Sequence, residues 1–108
     1  MVYIFVDDNQ QFYNELIQTP ISVVKVYSDT CAPCKPYAEK YKQLSNKYPY
    51  VPFLDVNMKS NLIRVSAVPT TLIIGCELTP RGPTGYILEK ILGGDDKELD
   101  EKLKSYFS

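Results

Sequence analysis

Two cysteines three residues apart, Cys31-Ala32-Pro33-Cys34, stand between a β-branched apolar run and a segment of helical periodicity. Residues 21–27 read Ile-Ser-Val-Val-Lys-Val-Tyr, the pattern of a strand buried on both faces. Over residues 33–48, Tyr37, Tyr41, Leu44 and Tyr48 recur along one helical stripe, and Pro33 and Pro36 suit only its first turn. A strand that turns into a helix at this spacing puts Cys31 at the helix N-terminus. The unpaired N–H groups and the dipole there stabilise an anion. A thiol so placed ionises well below its free pKa of about 8.5. Cys34, one turn in, is placed to attack a mixed disulfide formed at Cys31, and Pro33 keeps that turn stiff.

The same spacing also serves other purposes. It is half of a zinc site, it can share an iron–sulfur cluster with a second chain, or it can be a chance pair of core thiols. Zinc within one chain needs two further ligands, and the sequence has no second C-x-x-C and no histidine. The strand–turn–helix setting favours dithiol redox chemistry over these rivals. The missing histidine also excludes Ser–His and Cys–His catalysis within the chain. Any nucleophile must therefore be activated by its backbone surroundings or by another charge.

Twelve basic and thirteen acidic residues leave a net charge of -1, without the excess that a nucleic-acid binder needs. No apolar run approaches the ~20 residues that span a bilayer, so no membrane partner is expected. The opening residues Met1-Val2-Tyr3-Ile4-Phe5-Val6-Asp7-Asp8 carry neither a basic region nor a small-residue cleavage site. A cytoplasmic location is the expectation. Three cysteines are a poor disulfide framework, and 108 residues at 44% apolar content suffice for one domain, 1–108, without staples. Cys76 is expected in the core.

Along the rest of the chain, residues 2–6 read as a strand. Asp8 or Asn9 caps a helix carrying Phe12, Tyr13, Leu16 and Ile17, which Pro20 stops. Residues 51–56 give a third strand with Pro52 at its start, Leu62, Ile63 and Val65 suggest a short helix, and residues 70–76 give a fourth strand. Turn chemistry fills 79–85, and residues 86–92 form a fifth strand, antiparallel to the fourth. After Gly93-Gly94, Asp95 and Glu98 fit a capping box for a last helix with Leu99, Leu103, Tyr106 and Phe107 on its apolar face. The order βαβαβαββα makes this an α/β chain: a mixed five-stranded sheet with helices on both faces.

The segment Asp29-Thr30-Cys31-Ala32-Pro33-Cys34-Lys35 resembles the active-site loop of the thioredoxin family, W-C-G-P-C-K. Val68-Pro69-Thr70 resembles that family's cis-proline segment, and Phe53-Leu54-Asp55-Val56-Asn57 its third strand. The likeness runs in order through nearly the whole chain and implies a thioredoxin fold. It also implies a thiol–disulfide oxidoreductase that reduces protein disulfides, with Cys31 as attacking thiolate and Cys34 as resolving thiol. A disulfide oxidase or isomerase, or a binding module on the same fold, are the alternatives.

By the same resemblance, Pro69 follows a cis bond and packs against the disulfide. Thr30, Ala32, Val68 and Gly93 line the substrate groove, with Thr30 where the family has tryptophan and Ala32 where it has glycine. Lys25 falls where the family buries an aspartate, and Asp55 near where many members have a lysine, so the pair reads as a charge swap serving Cys34. No bound cofactor or metal is implied. Electrons are expected from NADPH through a flavoprotein reductase or another donor, and the protein is expected to act as a monomer.

Overall fold

The structure is a computed structural model and describes residues 3–107. Its elements are β1 (Tyr3–Val6), α1 (Asn9–Leu16), β2 (Ile21–Tyr27), α2 (Cys34–Lys47), β3 (Phe53–Asn57), β4 (Thr70–Thr79), β5 (Gly82–Leu92) and α3 (Asp96–Phe107). Val2, assigned from the sequence to the first strand, lies outside the described residues. The sheet order is β1-β3-β2-β4-β5. β1 and β2 each run parallel to β3, β2 and β4 are antiparallel, and β4 and β5 form a hairpin.

Because side chains alternate across a strand, each central strand feeds two cores. Val23, Phe53, Ile73 and Ile91 pack under α2 and α3 with Tyr37, Tyr41, Leu44, Leu99 and Leu103. Val24, Val26, Leu54, Val56, Leu72 and Ile74 point the other way, toward Phe12 and Leu16 of α1. The expected caps form: Asp8 Oδ1 accepts the Gln11 N–H at 2.9 Å, and Asp95 Oδ1 accepts the Glu98 N–H at 3.0 Å.

Three expectations need correction. No helix forms at Leu62, Ile63 and Val65; a single 3-10 turn (Met58–Ser60) precedes them, and residues 61–69 are bends and irregular backbone. Those side chains are apolar because they pack, half-buried, against the α1 side of the sheet from an irregular segment. The hairpin turn is only Pro80-Arg81, so residues assigned to the turn continue the two strands. Gly82 supplies the positive φ of 107° that this tight turn requires. Pro83 is tolerated because β5 is an edge strand with no partner on its outer side. The third strand starts at Phe53 rather than at residue 51.

At the far end of α2, Asp100 of α3 accepts hydrogen bonds from Lys47 Nζ at 2.7 Å and from the Tyr48 hydroxyl. Burial alone would raise the Asp100 carboxyl; the bonds from Lys47 and Tyr48 outweigh it and hold the group below the usual carboxylate range. A depressed carboxyl stabilises the fold above its unfolded pKa and loses that contribution as pH falls through its folded value. Asp100→Asn should therefore be less stable than the parent near pH 6 in urea titrations. The gap should close as the pH is lowered below about 4. A gap that stays constant with pH would exclude this linkage.

Candidate active site

β2 delivers the chain to one end of the sheet. Ser28 to Cys31 then form a tight turn, closed by the Cys31 N–H donating to the Ser28 carbonyl at 3.3 Å. α2 begins at Cys34, with Pro33 at its cap, whose side chain accepts no hydrogen bond from the first turn. The Cys34 N–H points instead at Cys31 Sγ, 3.1 Å away. Cys31 and Cys34 are joined in a disulfide, with their Cα atoms 5.3 Å apart. Thr30, Ala32 and Pro33 are exposed around it, while the two cysteines themselves are nearly covered, Cys31 at 8% and Cys34 at 5% exposure.

The register gathers the other expected residues at the same end. Val26 lies opposite Thr70, and Thr70 opposite Leu92. The residues just beyond, Tyr27, Pro69 and Gly93, therefore emerge side by side. The Val68-Pro69 bond is cis, as the sequence implied. Pro69 is buried and Val68 half-buried. The Gly93 N–H donates to the Pro69 carbonyl at 2.9 Å. Gly93 has φ 76°, and a Cβ there would meet nothing within 4 Å, so the glycine is required by backbone conformation and the space above it is open. Cys76 is not in the core: it is half-buried on β4, opposite Gly85.

Below Cys34 the sheet holds a charged pair. Lys25 is 2% exposed, and its Nζ lies 3.2 Å from Asp55 Oδ1. The ammonium also sits 4.9 Å from the centre of the Tyr41 ring and 5.5 Å from that of Tyr27. Those negative faces suit a cation taken out of water. Asp55 takes a second, short hydrogen bond at Oδ2 from the Tyr3 hydroxyl. Its Oδ1 has no hydrogen-bond partner and depends on the Lys25 charge alone. Lys25, Asp55 and Cys34 line one cleft of about 290 Å³, together with Tyr27, Ser28, Asp29, Lys35 and Ala38.

The surrounding phenols are held neutral. Burial raises Tyr3, with Asp55 adding to it, and burial raises Tyr41 well above the ordinary phenol value. Burial likewise pushes Tyr37 up to about 12, although Thr71 bonds to its hydroxyl. None of the three is a base near neutrality.

Sequence reasoning found Lys25 and Asp55 but missed Tyr3, which shares a face with Asp55 only through the pairing of β1 with β3. It also missed Asp29, whose carboxylate meets Asn57 and Lys59. Among the described residues, no group of three or more metal-ligating side chains converges to hold an ion.

A buried charge left alone is costly, which makes the pair testable. Lys25→Met should cost on the order of 3–5 kcal/mol, because it strands the Asp55 carboxylate. Lys25→Met with Asp55→Asn should cost less than the single change, since the amide still accepts from Tyr3. A double-mutant cycle in urea checks this, and additive costs would show that the pair is uncoupled.

A sequence model described as Thioredoxin matches residues 3–101. A thioredoxin of Aspergillus fumigatus is 31% identical over 104 residues, covering 91% of this chain and 89% of its own. Thioredoxin-1 of Schizosaccharomyces pombe is 28% identical, covering 93% and 94%. Among solved structures, the thioredoxin of Trichomonas vaginalis superposes with a TM-score of 0.83 at 15% identity, over 96% of each chain. The thioredoxin from Trypanosoma brucei brucei gives 0.78 at 22% identity, over 95% of this chain and 88% of that one. At such identities the structures establish the shared fold. The sequence matches, which run through both cysteines and nearly the full length of the relatives, place this chain in the thioredoxin family as a thiol–disulfide oxidoreductase.

Proposed function

We propose that this protein-disulfide reductase works through Cys31 as attacking thiolate and Cys34 as resolving thiol. The observation that carries the reading is the Cys34 N–H aimed at Cys31 Sγ at the open start of α2. A thiolate at Cys31 gains that hydrogen bond and the field of the helix end. In the dithiol form Cys31 attacks one sulfur of a substrate disulfide, forms a mixed disulfide and expels the other sulfur as thiolate. Cys34, deprotonated, then attacks Cys31 Sγ. This releases the second substrate thiolate and closes the Cys31–Cys34 disulfide. Two electrons pass to the substrate, whose two thiolates are protonated from solvent.

The Lys25–Asp55 pair beneath Cys34 is assigned to the resolving step. Lys25 and Cys34 line the same cleft, so the charge of the amine group lies on the side from which the Cys34 thiolate forms. This reading is supported by the cleft that the pair shares with Cys34.

Thr30, Ala32, Val68 and Gly93 receive the substrate chain, which pairs in extended form with the backbone at Val68. Pro33 and Pro69 hold the frame around the sulfurs. We place the protein in the cytoplasm as a monomeric single domain that binds no cofactor of its own. It takes part in electron transfer from NADPH through a flavoprotein reductase. No described helix is long and apolar enough to cross a membrane.

Cys34→Ser should stop turnover in insulin reduction by dithiothreitol and accumulate a mixed disulfide at Cys31, read by mass spectrometry. A Cys34→Ser protein that turns over like the parent would rule out the two-cysteine cycle. The reduction potential checks direction: a value near -270 mV fits a reductase, and one near -120 mV an oxidase.

A further inference from the structure

Outside the pair beneath Cys34, one cluster of charges touches the loop that presents Cys31. Asp29 and Thr30 are the central residues of the turn closed by the Cys31 N–H on the Ser28 carbonyl. Both oxygens of Asp29 are taken by residues of another part of the chain. Asn57 Nδ2, at the end of β3, donates to Oδ1 at 3.0 Å, and Lys59 Nζ, in the 3-10 turn, donates to Oδ2 at 2.8 Å. Asn57 is buried, and its own Oδ1 accepts the Lys59 N–H at 3.1 Å. One carboxamide therefore ties the Cys31 turn to the turn that carries Lys59.

An aspartate two residues before a cysteine that has to ionise is a liability, because its charge opposes the thiolate. Lys59 removes that liability by matching it with an equal and opposite charge. The other titratable groups around this cleft are Lys25 and Tyr27 on β2, Asp55 on β3, and Cys34 and Lys35 on α2. Lys25 is already committed to Asp55.

We infer that Asp29 is a positioning residue for Cys31, fixing its turn through Asn57, and that Lys59 is the counter-charge that lets an acid stand there without suppressing the Cys31 thiolate. The arrangement rests on Cys31 being the attacking thiol. Hydrogen bonding and charge from Lys59 hold the Asp29 carboxyl below its ordinary range, so it is ionised throughout the range in which a thiol titrates. The pair is largely exposed, at 74% for the Lys59 side chain and 62% for that of Asp29. Its effect on Cys31 is therefore modest and sensitive to salt.

Iodoacetamide alkylation of the reduced full-length chain between pH 5 and 9, with the label mapped to its peptide, tests this. Lys59→Gln should shift the Cys31 profile to higher pH and slow labelling at neutral pH by about two- to fivefold at low salt. In 1 M salt, where the screening length is about 3 Å, the difference should vanish. Asp29→Asn keeps an oxygen for Asn57 and removes the charge, so Asp29→Asn with Lys59→Gln should return the profile to that of the parent. Label on Cys31 with an unshifted Lys59→Gln profile at low salt would overturn the inference alone. A double variant as slow as Lys59→Gln would also overturn it, since the effect would not pass through Asp29. Label on Cys34 instead of Cys31 would overturn the assignment of the attacking thiol on which it rests.

Discussion

An ammonium group in the middle of a five-stranded sheet is the feature to which the site must adapt. Lys25 occupies the face of β2 that α2 covers, between Val23 and Tyr27 on an otherwise apolar strand. Unpaired, such a charge would cost several kcal/mol to bury. The parallel pairing of β2 and β3 brings Asp55 directly opposite it in register, and the two close to 3.2 Å. β1 then adds Tyr3 to the carboxylate, and α2 lays the Tyr41 ring over the ammonium. Four elements thus meet at one ion pair. The tyrosine stripe of α2 is read best in this light: Tyr37 and Tyr41 fill the core as apolar bodies while their hydroxyls satisfy Thr71 and the carbonyls of Val23 and Leu54.

The start of α2 supplies the complementary half of the chemistry. A helix capped by an Asp or Ser side chain has part of its positive end neutralised, as at α1 and α3. α2 has no such cap, and the first backbone donor is spent on a sulfur. The two sulfurs therefore sit in different fields. Cys31 faces the helix end and the exposed residues Thr30 and Ala32, while Cys34 faces the cleft floored by Lys25 and Asp55. This asymmetry divides an attacking role from a resolving one without any histidine.

Where one local rule dominated, the sequence was a sufficient guide. The stripe Tyr37, Tyr41, Leu44 could only be a helix face, and a run such as Val23-Val24-Lys25-Val26 could only be a covered strand. The Asp8 and Asp95 caps are likewise local chemistry. The short helix expected at Leu62, Ile63 and Val65 does not form because these residues are apolar for the sake of the α1-side core, and no local rule distinguishes that from a short amphipathic helix. The hairpin was misread because Pro83 and Gly85 carry turn propensity but lie on an edge strand, where a missing N–H or side chain costs little. Cys76 was expected inside because free cysteines usually are, yet β4 has run past its pairing with β2 by that point.

The site was legible to the depth that spacing alone can reach. The cysteines, the proline and the glycine each have a local signature, and the structure brings them to one end of the sheet. Tyr3 and Asp29 have none, since their roles come from partners 52 and 28 residues away in sequence. What links them is β3. Its residues Asp55 and Asn57 alternate onto the face that α2 covers, and they meet Lys25 beneath Cys34 and Asp29 ahead of Cys31. A single central strand thereby addresses both sulfurs at once, one from below through an ion pair and one from the side through a turn. The parallel pairing of β2 with β3 holds those two contacts in a fixed relation, because a slip of one residue would turn Asp55 and Asn57 to the α1 face and undo both.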